Sequence, residues 1–321
     1  MLRKWTPVSV LVVADVRQEA DGVRSFRFQR SDGEPLESWS PGAYLEFTLP
    51  SGLIRHYSLC GDPEDRSGYR VAVLDQPQGR GGSSEFHRCV TVGAQVDVRS
   101  PRNHFRLVDA ESYLFIAGGI GITPILPMVR AVAKVGKEFR LIYGGRSLAS
   151  MAFCEEVGSY GSAATLVPED VAGRMDLAAE LARCSPGVQV YCCGPEPLLR
   201  AVETACAADE RVGGLHFERF GAAATAPKPV GGGGTFEVEL ARSGITVTVD
   251  EKSSILDKVL EVVPGQPWAC REGYCGTCET AVIAGDPEHA DDILSDEERA
   301  GGAVMMICVG RSRTPRLVLD I

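Results

Sequence analysis

The stretch "CREGYCGTC", residues 270–278, places three cysteines and two glycines within nine positions. Cys270, Cys275 and Cys278 are spaced C-x4-C-x2-C, and Cys308 follows 30 residues later in "MMICVG". The chain has 11 cysteines, an odd number that argues against a complete disulfide framework. In a reducing compartment, clustered cysteines hold a metal or carry out redox chemistry more often than they pair. The loop therefore predicts a metal or redox centre.

The spacing of the four cysteines distinguishes two kinds of metal centre. Three ligands on one loop and a fourth far along the chain are typical of plant-type [2Fe–2S] clusters. A structural zinc site is the alternative, but it usually arises from two short C-x2-C pairs, and this set contains one. Gly273 and Gly276 allow the loop to fold closely around the sulfurs and to direct N–H groups at them. We predict that a [2Fe–2S] cluster is bound by Cys270, Cys275, Cys278 and Cys308.

Length and composition describe the rest of the chain. Its 321 residues are enough for two or three domains, and 44% of them are apolar, as in globular proteins. No apolar run reaches the roughly 18 residues of a membrane span. Asp15 interrupts the first apolar run, so that the start resembles a strand more than a signal peptide. We expect a cytoplasmic protein that does not contact a membrane.

Charge is concentrated at the C-terminal end. The net charge of −10 disfavours nucleic acid as a partner, and residues 236–321 hold 16 acidic against 8 basic side chains. The stretch "DPEHADDILSDEE", residues 286–298, is the most acidic part. It predicts a docking face for a basic protein surface, with an ordinary solvated loop and helix as the alternative.

Residues up to about 105 have the rhythm of strands. Short runs in which apolar residues alternate with polar ones, such as "SFRFQR", "AYLEFTL" and "YRVAVL", are separated by glycine and proline. This pattern predicts a small antiparallel β-barrel.

From Ser112 the pattern changes to alternating strands and helices. "YLFIAGG", "FRLIYGG" and "VQVYCCG" are buried strands, and "TPILPMVRAVAKV" is a helix with Thr123 as its N-cap. Further helices are expected around residues 149–157 and 195–206. Such alternation predicts a parallel α/β sheet.

The segment "FGAAATAPKPVGGGG", residues 220–234, is rich in small residues, proline and glycine and predicts a linker. Beyond it we expect a hairpin, a helix begun by a serine cap in "SSILDKVLEVV", and a final strand "PRLVLDI". The predicted domains are an antiparallel β-barrel (residues 1–108), an α/β domain with a parallel sheet (109–223), a linker (224–235) and an α+β domain (236–321).

Two segments of the barrel combine residues that suit a phosphate and a ring system. "RHYSLC" contains Arg55, Tyr57 and Ser58, and "GRGGSSEFH" is a glycine-rich turn that leads into a helix. Arg80 adds a positive charge to the N–H groups of that turn. An ordinary strand and a flexible hairpin loop are the alternatives at this level.

Three turns of the α/β domain are candidate dinucleotide contacts. "AGGIGITP" differs from the G-x-G-x-x-G fingerprint, but its glycines at 118, 119 and 121 permit close approach of a pyrophosphate to a helix N-terminus. "CCGPEP" ends another strand at the same sheet edge. "YGGRS" offers Arg146 and Ser147 where the adenosine ribose would lie, and the residues alone leave NADH and NADPH open.

The motifs and their order resemble the phthalate dioxygenase reductase family, the reductase components of two-component Rieske oxygenases. The resemblance spans nearly the whole chain, with a plant-type ferredoxin domain in the last 86 residues. It implies electron transfer from NADH to FMN, then to the [2Fe–2S] cluster, and then to a partner oxygenase that hydroxylates or O-demethylates aromatic compounds. FAD remains the alternative flavin, because "VLDQ", residues 73–76, lacks a basic residue found in close relatives.

The resemblance also implies roles for individual residues. Contacts with FMN are implied for Arg55, Tyr57, Ser58, Arg80, Gly81, Gly82 and Ser83, and contacts with NADH for Gly118, Gly119, Gly121, Arg146, Ser147, Gly194 and Pro195. Thr123 would lie near the flavin, Cys193 near the nicotinamide carbon that gives up hydride, and Phe220 against the flavin. Cys192 is expected to be an ordinary buried residue.

Two other functions remain possible from the residues. One is a stand-alone NAD(P)H reductase of a small acceptor such as a quinone or a ferric chelate. The other is a binding module stabilised by zinc.

Overall fold

The computed structural model describes residues 8–220 and 234–321. Contacts divide the described residues into two compact units, one at residues 8–220 and the other at residues 234–321. The predicted linker at 224–235 falls almost wholly outside the described residues. The strands of three sheets lie inside the three predicted domain ranges, whose boundaries stay predictions.

The first sheet is antiparallel and closes into a barrel. Its strands follow the order β4-β3-β6-β1-β2-β5, and a bridge between Leu59 and Val71 joins the two edges. Phe26, Phe28 and Phe47 fill the interior, as the alternation of apolar and polar residues predicts. The elements are β1 (Val8–Ala20), β2 (Val23–Gln29), β3 (Ala43–Thr48), β4 (Ile54–Ser58), β5 (Tyr69–Leu74), α1 (Gly82–Cys89) and β6 (Gln95–Asn103).

The second sheet is wholly parallel, with helices connecting its strands. The strand order is β11-β10-β7-β8-β9, so the chain reverses direction across the sheet between β7 and β10. Ligands of open α/β sheets bind at such a reversal, beyond the carboxyl ends of the strands. The elements are β7 (Ser112–Gly118), α2 (Ile122–Lys134), β8 (Glu138–Gly145), α3 (Cys154–Gly158), β9 (Ala164–Pro168), α4 (Glu169–Ala172), α5 (Leu177–Leu181), β10 (Val188–Cys193), α6 (Glu196–Ala207) and β11 (Val212–Glu218).

The second unit is a five-stranded mixed sheet covered by a short helix. Its strand order is β13-β12-β18-β14-β16, and β15 pairs with β17 in a separate ribbon. The elements are β12 (Phe236–Leu240), β13 (Ile245–Val249), α7 (Ile255–Val262), β14 (Glu279–Ala284), β15 (Pro287–Glu288), α8 (Asp296–Gly301), β16 (Val304–Met306), β17 (Arg311–Ser312) and β18 (Arg316–Leu319).

These sheets confirm the predicted fold class of antiparallel barrel, parallel α/β domain and ferredoxin-like α+β domain. Ser254 caps α7 as predicted, in a capping box with Asp257. None of the helices within the described residues is both long and apolar enough to cross a bilayer.

Two local predictions were wrong. Helix α2 begins at Ile122 with Gly121 as its N-cap residue, so Thr123 is inside the first turn, where its hydroxyl donates to the carbonyl of Ile120 at 3.0 Å. The helix expected at residues 149–157 is interrupted. A short 3-10 turn ends at Ser150, and Phe153 has a left-handed φ of 63°, which a continuous right-handed helix excludes.

Candidate functional site

The barrel forms a cradle between β4 and the start of α1. The Arg55 guanidinium donates to the carbonyl of Arg80 at 3.1 Å. It lies so close to Gly82 that a Cβ there would come within 1.9 Å of the Arg55 Nε atom. The N–H groups of the first turn of α1 have no partners inside the helix and carry its positive dipole end. A cation and a helix N-terminus thus meet at one point, as the bound phosphate of a flavin requires.

Other predicted flavin contacts surround this point. Ser83 accepts a hydrogen bond from the backbone N–H of Gln76 at 3.0 Å, and the Arg80 side chain is exposed beside the turn. The Tyr57 ring packs edge-on against Phe86, with 4.7 Å between centroids. Among the described residues its buried hydroxyl has no hydrogen-bond partner. A buried polar atom of this kind suits a ligand that accepts or donates there.

The turns after β7 and β10 pack tightly at the reversal point of the parallel sheet. A Cβ on Gly121 would lie 2.2 Å from the carbonyl oxygen of Cys193, and one on Gly118 would lie 2.8 Å from the ring of Pro195. A Cβ on Gly194 would approach the backbone of Gly118 to 3.0 Å. The three glycines therefore let two backbone segments meet, and Gly119 provides a left-handed φ of 55° at the same turn.

Cys193 and Cys192 point to opposite faces of β10. Cys193 is fully buried in the apolar cluster that contains α2, and Cys192 is buried in the cluster on the other side of the sheet. Burial raises the pKa of the Cys193 thiol well above its ordinary value, with a contribution from the neighbouring Glu218 carboxyl. Cys193 is thus a neutral thiol.

Glu218 is a candidate residue that the sequence analysis missed. Its carboxyl accepts a hydrogen bond from the Ser58 hydroxyl at 3.2 Å, which joins barrel strand β4 to the last strand of the parallel sheet. Glu218 pairs directly with Cys193 across β10 and β11. The residue retains some exposure, yet burial of its carboxyl raises its pKa to about 8, against a small opposing effect of the Ser58 hydrogen bond. The two residues are 160 positions apart, so no local signal could reveal the contact.

The adenosine end of the expected nucleotide site contains acids from a neighbouring strand. Arg146 is exposed after β8, and its carbonyl accepts a hydrogen bond from the N–H of Asp170 at 3.1 Å. Ser147 forms a capping box with Ser150. Glu169 and Asp170 thus follow β9 beside Arg146, and the Glu169 carboxylate lies 3.6 Å from the Nε of Arg174. Carboxylates at this position favour a ribose hydroxyl over a phosphate.

Phe220 is exposed at the end of the first unit. Within the described residues its ring makes no contact with another aromatic ring. The role of Phe220 therefore stays a prediction.

The four predicted cluster ligands form one connected group. All four cysteines are buried. The thiol of Cys270 hydrogen-bonds with those of Cys275 and Cys308, and the thiol of Cys308 also hydrogen-bonds with that of Cys278. The contact with Cys275 is the first cause that lowers the pKa of Cys270 to about 2, while the corresponding contacts raise the pKa of Cys275 and of Cys308. Thiolate, the form that binds metal, is therefore already favoured at one ligand.

The ligand loop also directs backbone donors at sulfur. The N–H of Glu272 lies 3.3 Å from the Cys270 sulfur, and Tyr274 contributes a second backbone hydrogen bond. Gly273 and Gly276 have left-handed φ angles of 77° and 74°, which produce this wrapped conformation. Such donors stabilise the more negative, reduced state of an iron–sulfur cluster.

The contacts of the four cysteines suit a [2Fe–2S] cluster. Within residues 8–220 and 234–321, no three cysteine, histidine or carboxylate side chains are placed to hold a single ion. A structural zinc site needs four ligands around one point. A [2Fe–2S] cluster takes four cysteine ligands, and the contacts Cys270–Cys275, Cys270–Cys308 and Cys278–Cys308 connect all four.

The acidic stretch 286–298 packs against this loop. The N–H of Asp292 donates to the carbonyl of Gly273 at 3.1 Å, and a Cβ on Gly273 would lie 3.0 Å from the Cα of Asp291. Asp291 itself is buried and accepts hydrogen bonds from the N–H groups of Ile293 and Leu294. The exposed carboxylates of the stretch are those of Asp286, Asp292, Asp296 and Glu297.

Two family models match the chain. The model described as "2Fe-2S iron-sulfur cluster binding domain" matches residues 238–312, and the model described as "Oxidoreductase NAD-binding domain" matches residues 115–204. The first match contains all four cysteines, and the second contains the turns after β7 and β10.

Similar proteins cover the chain almost from end to end. It is 40% identical over 317 residues to phenoxybenzoate dioxygenase subunit beta of Ectopseudomonas oleovorans, with 98% of each chain covered. The solved structure of phthalate dioxygenase reductase, "a modular structure for electron transfer from pyridine nucleotides to [2Fe–2S]", is 34% identical with a TM-score of 0.71, and 98% of each chain is covered. A structure of an intact type IV self-sufficient cytochrome P450 monooxygenase is 38% identical with a TM-score of 0.86 over 98% of this chain. This chain spans only 41% of that longer protein.

Proposed function

The chain belongs to the phthalate dioxygenase reductase family, and we propose that it carries electrons from NADH through FMN and a [2Fe–2S] cluster to a separate oxygenase component. The observation that carries this proposal is the connected group of four buried cysteines, with backbone donors aimed at the sulfur of Cys270. A plant-type cluster has a potential near −400 mV, low enough to reduce a Rieske centre.

Each cofactor would contribute a distinct part of the chemistry. Bound FMN exchanges electrons in pairs with a nicotinamide and singly with a metal centre, and a [2Fe–2S] cluster carries one electron at a time. We assign the FMN phosphate to Arg55 and the first turn of α1, and the flavin ring to the vicinity of Tyr57 and Ser58. The cluster ligands would be the four cysteines.

The chain's own residues would position and protect the reacting groups. The glycines after β7 and β10 bring these two turns together, and the nicotinamide half of NADH would lie on the open side of Gly119, where a Cβ would meet nothing within 4 Å. The neutral Cys193 thiol excludes water without adding charge. Glu218, with a pKa of about 8, holds a proton at neutral pH on an oxygen within reach of the Ser58 hydroxyl. It can therefore act as a hydrogen-bond donor where negative charge develops.

The preference for NADH is supported by the acids that follow β9. A 2′-phosphate on the ribose would approach Asp170, whose N–H donates to the carbonyl of Arg146, and Glu169, whose carboxylate lies 3.6 Å from the Nε of Arg174. Because Arg174 offsets the charge of Glu169, Asp170 is the carboxylate that disfavours the phosphate.

The partner would dock on the acidic stretch 286–298. Because this stretch packs on the ligand loop through Gly273, a basic protein bound to its exposed carboxylates would come close to the cluster. The 11 cysteines form no disulfide, which supports the inference that the protein works in the cytoplasm.

The central test is the visible spectrum of the purified holoprotein under anaerobic conditions, before and after addition of NADH. We expect flavin bands over a broad brown envelope, with both bleached by NADH. Flavin bleaching without cluster bleaching would contradict the transfer step between them. A colourless protein that contains zinc would contradict the proposed enzyme.

The docking proposal can be tested with cytochrome c as a basic one-electron acceptor. We expect its reduction to slow as salt rises and to slow further in the double variant Asp296→Asn/Glu297→Gln. Glu251→Gln, at an exposed acid outside the stretch, is the matched control. Rates that change neither with the salt concentration nor in the double variant would contradict docking at this face. Faster turnover with 1,4-benzoquinone than with any protein acceptor would favour the stand-alone reductase.

A further inference from the structure

Arg130 joins the barrel to the nucleotide-binding domain within the first unit. It lies on α2, and its Nη1 donates to the carbonyls of Cys60 and Gly61, both at 2.7 Å. Its Nε and Nη2 donate to the two carboxylate oxygens of Glu156 on α3, at 2.5 and 2.7 Å. One side chain thus connects the end of a barrel strand with two helices of the other domain.

The two ends of this connection lead to the two predicted cofactor positions. Cys60 and Gly61 follow directly after β4, the strand that contains Arg55, Tyr57 and Ser58. Helix α2 begins at the glycine-rich turn beside the nicotinamide position, and Arg130 is seven residues beyond Thr123, or about 10 Å along the helix. A shift of β4 against α2 would therefore change the separation between flavin and nicotinamide.

Apolar packing alone does not determine that separation. Around Arg130 the two domains meet through an apolar cluster that includes Cys60, Ile125 and Val129. Apolar contact is non-directional, and it tolerates sliding by fractions of an ångström. A guanidinium that donates to two carbonyls and, in a bidentate manner, to a carboxylate allows one relative position only.

We propose that Arg130 is a positioning residue for hydride transfer, which it serves by holding the flavin strand β4 in register with α2. The inference rests on the proposed function, since it presumes that NADH reduces a flavin in this unit. A misplacement of about 1 Å can cost about 100-fold in rate. Loss of Arg130 should therefore slow hydride transfer without weakening the binding of NADH, because none of the predicted nucleotide contacts changes.

The experiment compares Arg130→Met with Arg140→Met in the flavin-loaded full-length protein. Arg140 is a matched control, since its side chain is 21% exposed against 22% for Arg130 and it also binds a carboxylate, that of Glu180. Its pair, however, lies within the nucleotide-binding domain. Flavin bleaching by NADH is followed in a stopped-flow instrument without oxygen, over a range of NADH concentrations.

We expect Arg130→Met to lower the limiting rate about 10- to 100-fold with the NADH dissociation constant within about twofold of wild type. Arg140→Met should stay within about twofold in both quantities. Arg130→Lys keeps the positive charge but cannot donate to both oxygens of Glu156 in the same planar arrangement, and it should recover part of the rate. Equal limiting rates in wild type and Arg130→Met, or equal losses in Arg130→Met and Arg140→Met, would overturn the inference.

A protein that fails to retain flavin does not end the test. If Arg130→Met is purified without flavin, Arg130→Lys decides, and a limiting rate equal to wild type would overturn the inference. Wild-type protein that NADH does not bleach would overturn the proposed function and this inference with it. Normal bleaching of the wild type together with an unaffected Arg130 variant would overturn the inference alone.

Discussion

Substitution of Glu218 by glutamine should remove a pH dependence of stability. The carboxyl has a pKa of about 8 in the folded protein against an ordinary value of 4.5, because burial disfavours its charge. Between these values the native state holds a proton that the unfolded chain has released. Stability from this group is therefore present below about pH 4.5 and is lost as the pH rises to about 8.

The size of the effect follows from the shift. Each pH unit between the two pKa values lowers the free energy of unfolding by about 1.4 kcal/mol, an upper bound because the residue keeps some exposure. Glutamine has the shape of the protonated acid and does not ionise. We expect Glu218→Gln to match wild type near pH 5 and to exceed its stability by between about 1 and 3 kcal/mol at pH 7.

The assay is thermal unfolding of the holoprotein followed by flavin fluorescence, which reports the unit that contains Glu218. A gain of 1 kcal/mol corresponds to about 2–4 °C in a unit of this size. The midpoint difference between Glu218→Gln and wild type should grow steadily from pH 5 to pH 8. Glu210→Gln, at an exposed acid in the same unit, should show no such growth. A difference that is independent of pH would refute the conclusion that Glu218 is buried with a raised pKa.

Three further variants test the cofactor sites. Cys308→Ser should lose the brown absorbance and the reduction of cytochrome c but keep the bleaching of flavin by NADH. Loss of flavin bleaching as well would contradict separate sites for the flavin and the cluster. Gly82→Ala places a Cβ 1.9 Å from the Nε of Arg55 and should weaken FMN binding about 10- to 100-fold by titration, whereas Gly158→Ala, whose Cβ meets nothing within 4 Å, should not. Gly273→Ala combines a φ of 77° with a contact of 2.8 Å to a valine methyl, and it should cost about 1–3 kcal/mol and lower the iron content per chain. Full iron content in that variant would count against the wrapped loop.

The sequence was sufficient for features whose physical cause is local. Alternating residues such as Phe26 and Phe28 predicted barrel strands, since side chains of a strand point to opposite faces. The Ser254 cap predicted the start of α7, because capping depends on residues within one turn. The spacing of the four cysteines predicted a common cluster site, because three of them share one loop.

Local signals failed where the backbone of a neighbouring segment intervened. The helix expected at 149–157 is interrupted, and Met151 packs against Gly145, where a Cβ would lie 2.4 Å from its Cγ atom. The start of α2 moved to Ile122 because the preceding glycines form a 3-10 turn that continues into the helix. In both places tertiary packing overrides the helix propensity of the local sequence.

The sequence by itself determined the fold class and predicted the ligand set of the cluster and the turns that suit a flavin and a nucleotide, because each of these rests on the spacing of residues along the chain. Only the tertiary structure decided which distant residues meet. Glu218 reaches Ser58, Arg130 holds the end of β4, and the acidic stretch packs on the ligand loop. These contacts arise from the pairing of sheets and the burial of apolar faces, which act across the whole chain and leave no pattern in any one part of it.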